Sequence, residues 1–138
     1  LLPPMSSAPI VAQLLSTVPK AVAAGVVDMR TGELLDVHTT ANHPPQVLDM
    51  VALATHDLFE GPNVSSIENT FKQIRGDDYQ GRYFREIIVT SKNLLHIFAR
   101  LEKQEHLVLV VVAREDTNLA LSLMNTRTVA REAVVEGH

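Results

Sequence analysis

The sequence predicts an α/β (α+β) fold in the order α-β-β-α-β-β-β-α, with helices on both faces of a five-strand sheet. Three observations carry that prediction. Residues 107–113 form a short unbroken apolar run, β-branched at Val108, Val110, Val111 and Val112, with charged segments on either side. A run this short suits a strand better than a buried helix, and β-branching favours the same reading. Because it does not alternate polar with apolar, both faces of this strand must be covered. Residues 21–29 are apolar almost throughout and read as a second buried strand. Finally, the strands come as a hairpin and then a three-strand meander, with a long helical segment between them as the crossover.

Taken in order, residues 1–8 are expected to be a flexible N-terminal segment, 9–135 a single domain and 136–138 a C-terminal tail. Ser7 or Ala8 stands near the cap of a first helix with Pro9 in its first turn. Ile10, Val11, Leu14, Leu15 and Val18 give helical spacing before Pro19 stops it. Gly25, inside the first strand, marks a bulge or a close helix approach. Asp28-Met29-Arg30-Thr31-Gly32 is a turn signal with glycine where φ is positive. In 33–39, Leu35 and Val37 alternate with Asp36 and His38, as in an edge strand with one wet face.

Asn42-His43-Pro44-Pro45 opens the crossover helix. Its Val47, Leu48, Val51, Leu53, Ala54, Leu58 and Phe59 make an apolar surface wider than the roughly 100° stripe that covers one sheet face. Gly61-Pro62 breaks it. Ser65 and Glu68 then read as a capping box for a second, short helix striped by Ile67, Phe71 and Ile74. Residues 75–82 are polar, hold two glycines and read as a mobile loop. Strands at 83–90 and 94–101 flank a tight connection at Ser91-Lys92-Asn93. Asp116 or Thr117 caps a last helix striped through Leu119, Leu123, Thr126, Ala130 and Ala133 or Val134. Arg127 and Arg131 suit the negative end of its dipole. The first and last helices should share one sheet face and the crossover helix the other.

With 138 residues the chain suits one domain with one core, and with 4% aromatic residues and no Trp that core must be aliphatic. A net charge of -4 argues against a nucleic-acid partner. The lack of Cys excludes disulfides and thiolate metal sites and fits a cytoplasmic protein. No apolar run approaches the roughly 18 residues that span a bilayer, and no charged region leads an apolar one as in a signal peptide.

No catalytic motif is present, so the chain reads as not an enzyme. His38, His43, His56, His96, His106 and His138 show no metal-binding spacing and no HExxH occurs. The carboxylate pairs Glu115-Asp116, Asp77-Asp78 and Glu33-Asp36 fall at turns or strand ends, where a solvated role is the simpler reading than general acid work. There is no GxxxxGK, hence no P-loop, and neither Ser91 nor Ser122 has a base nearby in sequence. No cofactor is assigned.

The stretch Gly25-Val26-Val27-Asp28-Met29-Arg30-Thr31-Gly32-Glu33-Leu34-Leu35, the apolar helix 46–60 and Leu107-Val108-Leu109-Val110-Val111-Val112 before the last helix together resemble the Roadblock family, also called the Roadblock/dynein light chain domain. The likeness covers roughly 10–134. It implies a single five-stranded antiparallel sheet, profilin-like in shape, with the run at 107–112 in the middle. It also implies a homodimer formed through the crossover helix and the third strand, and no catalytic activity. Members serve as motor-complex subunits or as regulators and scaffolds of small Ras-like GTPases, beside which they often occur in bacteria. The break at Gly61-Pro62-Asn63 departs from a single long crossover helix.

The helical spacing places Val51 and Leu58, with Val47 and Ala54 close by, on the side facing a two-fold partner, and Leu48 and Phe59 toward the sheet. Ile87 and Val89 on the third strand complete the expected interface. The apolar excess on this helix has a plainer explanation, cover by the next helix and the 76–82 loop, but exposed strand edges favour self-association. The alternative reading is a small-molecule sensor domain of PAS or profilin-like shape. It calls for a cavity of roughly a few hundred Å3 between sheet and crossover helix.

Overall fold

The computed structural model describes residues 6–40, 45–76 and 82–138, with side chains in the second helix described from residue 49 onward. The elements are α1 (Ser7–Thr17), β1 (Ala21–Asp28), β2 (Glu33–Thr39), α2 (Pro45–Glu60), α3 (Pro62–Arg75), β3 (Glu86–Thr90), β4 (Leu94–Arg100), β5 (Leu107–Arg114) and α4 (Leu119–Glu132). All five strands form one antiparallel sheet in the order β2-β1-β5-β4-β3. The apolar run is therefore the middle strand. The expected helix start at Asn42-His43-Pro44 and most of the expected 75–82 loop lie outside the described residues.

Alternation along β5 splits the core into two layers. Leu107, Leu109, Val111 and Ala113 pack with Ile10, Val11 and Leu14 of α1 and Val129 and Ala130 of α4. Val108 and Val110 pack instead with Ala52 and Phe59 of α2 and with Phe98 of β4. So α1 and α4 share one face of the sheet and α2 covers the other, as the sequence predicts.

Four local expectations change. Gly61 caps α3 with Pro62 in its first turn, so α3 is a helix of 14 residues and the capping box at Ser65 does not form. Ser65 Oγ donates instead to the Glu60 carbonyl, and the Glu68 carboxylate accepts the Tyr83 N–H at 3.0 Å. That bond, with Arg100 Nε donating to the Phe84 carbonyl at 2.6 Å, takes Tyr83 and Phe84 out of the ladder, and β3 begins only at Glu86. Asn118, not Asp116 or Thr117, caps α4 by accepting the Leu121 N–H. Asp116 is held by Lys20 at 2.6 Å, and the Thr117 hydroxyl donates to the Pro19 carbonyl. The buried stripe of α4 then runs through Ser122, Thr126, Val129 and Ala130, and Leu119 is exposed. Of the two readings of Gly25 the bulge holds and the helix approach does not: a Cβ there would sit 3.0 Å from the Asp36 carbonyl of the neighbouring strand, beside the register shift that bulges β2.

Candidate interaction surface

α2 meets the sheet through a narrow stripe. Ala52, Thr55 and Phe59 are buried, with the Thr55 hydroxyl satisfied by the Val51 carbonyl. The C-terminal end of the helix is held down by Arg100 of β4, a guanidinium buried against the Phe59 ring. It donates to the carbonyls of Phe59, Phe84 and Glu105 and to the Glu60 carboxylate. A cation among carbonyls at a helix C-terminus also complements the helix dipole. Burial lowers the Arg100 pKa, opposed by the neighbouring Glu60 carboxylate.

Beyond that stripe the apolar excess of α2 is real. Val51 (42%), Leu58 (39%), Leu53 (58%) and Met50 (66%) are exposed, and Ala54 is exposed on the same flank as Val51 and Leu58. α3 does not cover them. Of the residues expected to face inward, Phe59 does; the side chains of Leu48 and of Val47 lie outside those described. On β3, Ile87 is half-buried against the α2-side core and Val89 is exposed.

The two edges of the sheet differ. On β2 the bulge interrupts the ladder, and the Asp36 carboxylate accepts the N–H of Val37 at 2.9 Å. Thr40 N–H donates to the Val22 carbonyl, so ladder alternation turns the Val37 N–H outward, and Asp36 blunts the edge there. Among the described residues β3 has no such device. Arg100 N–H donates to Arg85 and Ser91 N–H to Leu94, which sets Ile87 and Val89 toward β4 and leaves the N–H and C=O of Ile88 on the open side. Ile88 itself is 43% exposed. Sequence reasoning missed Ile88 and Met50: periodicity tells which face a strand residue occupies but not which edge its N–H serves.

Between the N-terminal half of α2 and the sheet lies an apolar hollow of about 430 Å3. It is lined by Gly25, Leu34, Val37, Val51, Val110 and Val112, among others, with His96 as its one ionisable group among the described residues. His96 is half-buried between Val89 and Val112, stacks on Phe98, and places Nε2 3.0 Å from the Ser91 hydroxyl. Burial lowers its pKa and favours the neutral ring. Among the described residues no group of three or more His, Asp or Glu gathers as a metal site, and no helix is long and apolar enough to cross a membrane.

No family model matches the sequence and no curated protein is similar to it at a significant level. Solved structures do match. The Roadblock/LC7 domain from Streptomyces avermitilis superposes with a TM-score of 0.60 at 16% identity, covering 88% of this chain and 88% of that one. MglB of Myxococcus xanthus gives 0.63 at 18% identity, covering 89% of each chain. The gliding protein MglB from Thermus thermophilus gives 0.65 at 18% identity, covering 95% of this chain and 93% of that one. At these identities the likeness establishes the fold: this chain has the architecture of Roadblock/LC7 domain proteins, as the sequence resemblance implies.

Proposed function

We propose that the chain is a non-enzymatic homodimeric interaction module that binds or regulates a small Ras-like GTPase. Two observations carry the dimer: a strand edge at β3 that no described device blunts, and the exposed apolar flank of α2. Pairing two β3 edges would satisfy the Ile88 N–H and C=O, and the Val51, Ala54 and Leu58 flanks would bury one another across a two-fold axis. Val47, on the same flank by helical spacing, and Ile87 and Val89 belong to the same interface. An MglB structure of this fold is described as having a tetrameric arrangement, which fits a self-associating surface. The GTPase partner rests on the Roadblock resemblance and the matching fold.

Light scattering and a binding assay test the two parts separately. The solution mass should be twice the chain mass of 15.2 kDa at micromolar concentration. Small Ras-like GTPases from the same genome, loaded with GDP or a non-hydrolysable GTP analogue, should bind with one nucleotide state preferred. A monomer at high concentration defeats the first part, and indifference of every GTPase in either state defeats the second.

The hollow beneath α2 supports a second reading, a sensor for a small apolar molecule. Its volume falls within the range of ligand pockets, and its lining is almost entirely apolar. An apolar fluorescent probe displaced by the Gly25→Leu substitution, with the dimer intact, would favour the sensor. A probe that binds only to a monomeric variant would show that the partner subunit normally covers this surface.

A further inference from the structure

Over its first two turns α4 is amphipathic in the reverse sense. Its core side carries Ser122 and Thr126, both fully buried. Their hydroxyls donate to the carbonyls of Asn118 and Ser122, and Thr117 Oγ1 lies 3.1 Å from Ser122 Oγ. The outer side carries Leu121 and Met124, exposed by 41% and 61%, and Leu119 is 46% exposed at the start of the helix. A helix whose only role was to cover the sheet would place these residue types the other way round. Leu121 and Met124, three residues apart, are neighbours on the helix surface.

The same side turns basic toward the C-terminus, where Arg127 and Arg131 follow Met124 at helical spacing. There α4 borders a cleft of about 250 Å3 lined by Arg85, Glu86, Ala99, Glu102, Arg127 and Arg131, among others. Glu86 holds Arg127 through two bonds of 2.7 and 2.8 Å, and Glu102 holds Arg85 at 2.8 Å. Arg131 has no ion pair among the described residues. A cleft lined by four arginines, Arg100 included, against two glutamates has a positive excess that favours an acidic occupant.

We propose that the outer face of α4 docks an amphipathic helical segment of a partner protein, apolar where it meets Leu121 and Met124 and acidic where it meets Arg127 and Arg131. The apolar part of this face lies across the sheet from α2, and its basic end reaches Arg85 and Glu86 at the start of β3.

The test uses the full chain and two fluorescein-labelled helical peptides with the same leucines. One carries glutamates a turn or two beyond them, and the other lysines at those positions. The acidic peptide should bind at least about tenfold more tightly in fluorescence anisotropy. Met124→Ser should weaken both peptides, and Arg131→Glu should weaken the acidic one while narrowing its advantage over the basic one. Both positions are exposed, and circular dichroism checks that each variant folds; Leu121→Ser replaces Met124→Ser if that variant does not. Equal affinity for the two peptides, no saturable binding, or variants that bind like the parent overturn the proposal. A change in solution mass with Met124→Ser also overturns it, because the occupant is then a second copy of this chain.

Discussion

At the scale of single residues, Arg100 makes the sharpest prediction. Its guanidinium satisfies three backbone carbonyls and pairs with Glu60, joining the end of α2, the lead into β3 and the β4–β5 turn. Arg100→Leu strands those acceptors in the interior. A cost of about 3 kcal/mol or more is expected, since hydrogen bonds to charged groups contribute roughly 1.5–3 kcal/mol each. Arg100→Lys should recover little, because a point charge cannot reach carbonyls on three sides. Urea melts check both; a loss within experimental error for Arg100→Leu defeats the idea that this residue pins α2.

Titration is the second prediction at this scale. Burial lowers the pKa of His96, and burial with the nearby Arg30 charge lowers that of His106, whose Nε2 is buried without a hydrogen-bond partner. Burial pushes the Asp28 carboxyl up, but hydrogen bonds from the Arg30 side chain and N–H outweigh it and the net shift is downward. A group with a depressed folded pKa contributes stability above its unfolded pKa and loses it as pH falls through the folded value. The histidines should therefore cost stability as pH drops below the ordinary 6.5, and Asp28 should cost more below 3.8. Thermal melts from pH 7.5 downward should show the first loss, and His106→Gln should reduce it. A melting temperature that rises on acidification to pH 5.5 contradicts the assignment.

At the scale of elements, the flank and the underside of α2 predict opposite outcomes. Val51→Glu should weaken the dimer and leave the fold largely intact, because the carboxylate enters water when the subunits part. Phe59→Glu should unfold the domain, since the side chain is fully buried against Phe98 and Arg100. Circular dichroism with sedimentation separates the two; a folded, fully dimeric Val51→Glu protein rules out this flank. How legible each element was follows from where its partners lie in the chain. β5 was readable because its apolar run is local. The start of α4 was not, because the choice between Asp116 and Asn118 is made by Lys20, 96 residues away in sequence. β3 lost its first residues to Glu68 and Arg100 for the same reason. The stripe of α4 held at Leu123, Thr126, Ala130 and Ala133 and failed at Leu119, and it passed over Ser122 because a small buried hydroxyl can sit against a sheet when its own helix backbone satisfies it, which hydropathy does not record. That Val51, Ala54 and Leu58 lie on one side of α2 follows from helical spacing, which is local, whereas the difference between the sheet edges depends on a bulge and a ladder phase that the pattern does not carry.

At the scale of the whole molecule, that difference sets how copies would join in the proposed dimer. Backbone groups alternate along β3, so proline at adjacent positions tests the two sides of one strand. Ile88→Pro removes an N–H that faces the open edge, and the monomer loses no ladder bond; an edge strand tolerates proline there. Ile87→Pro removes an N–H that points to β4 and places the ring in the sheet, so the monomer itself should suffer. The expected results are a folded monomer for Ile88→Pro, with a melting temperature close to that of a monomeric Val51→Glu protein, and a destabilised chain for Ile87→Pro. Light scattering and thermal melts on both variants give the answer. If Ile88→Pro retains the full dimer mass, the subunits do not join through β3. Among the described residues the association surface is then sought on the flank of α2 alone, on α3 at Ile67 and Ile74, or on the outer side of α4 at Leu121 and Met124.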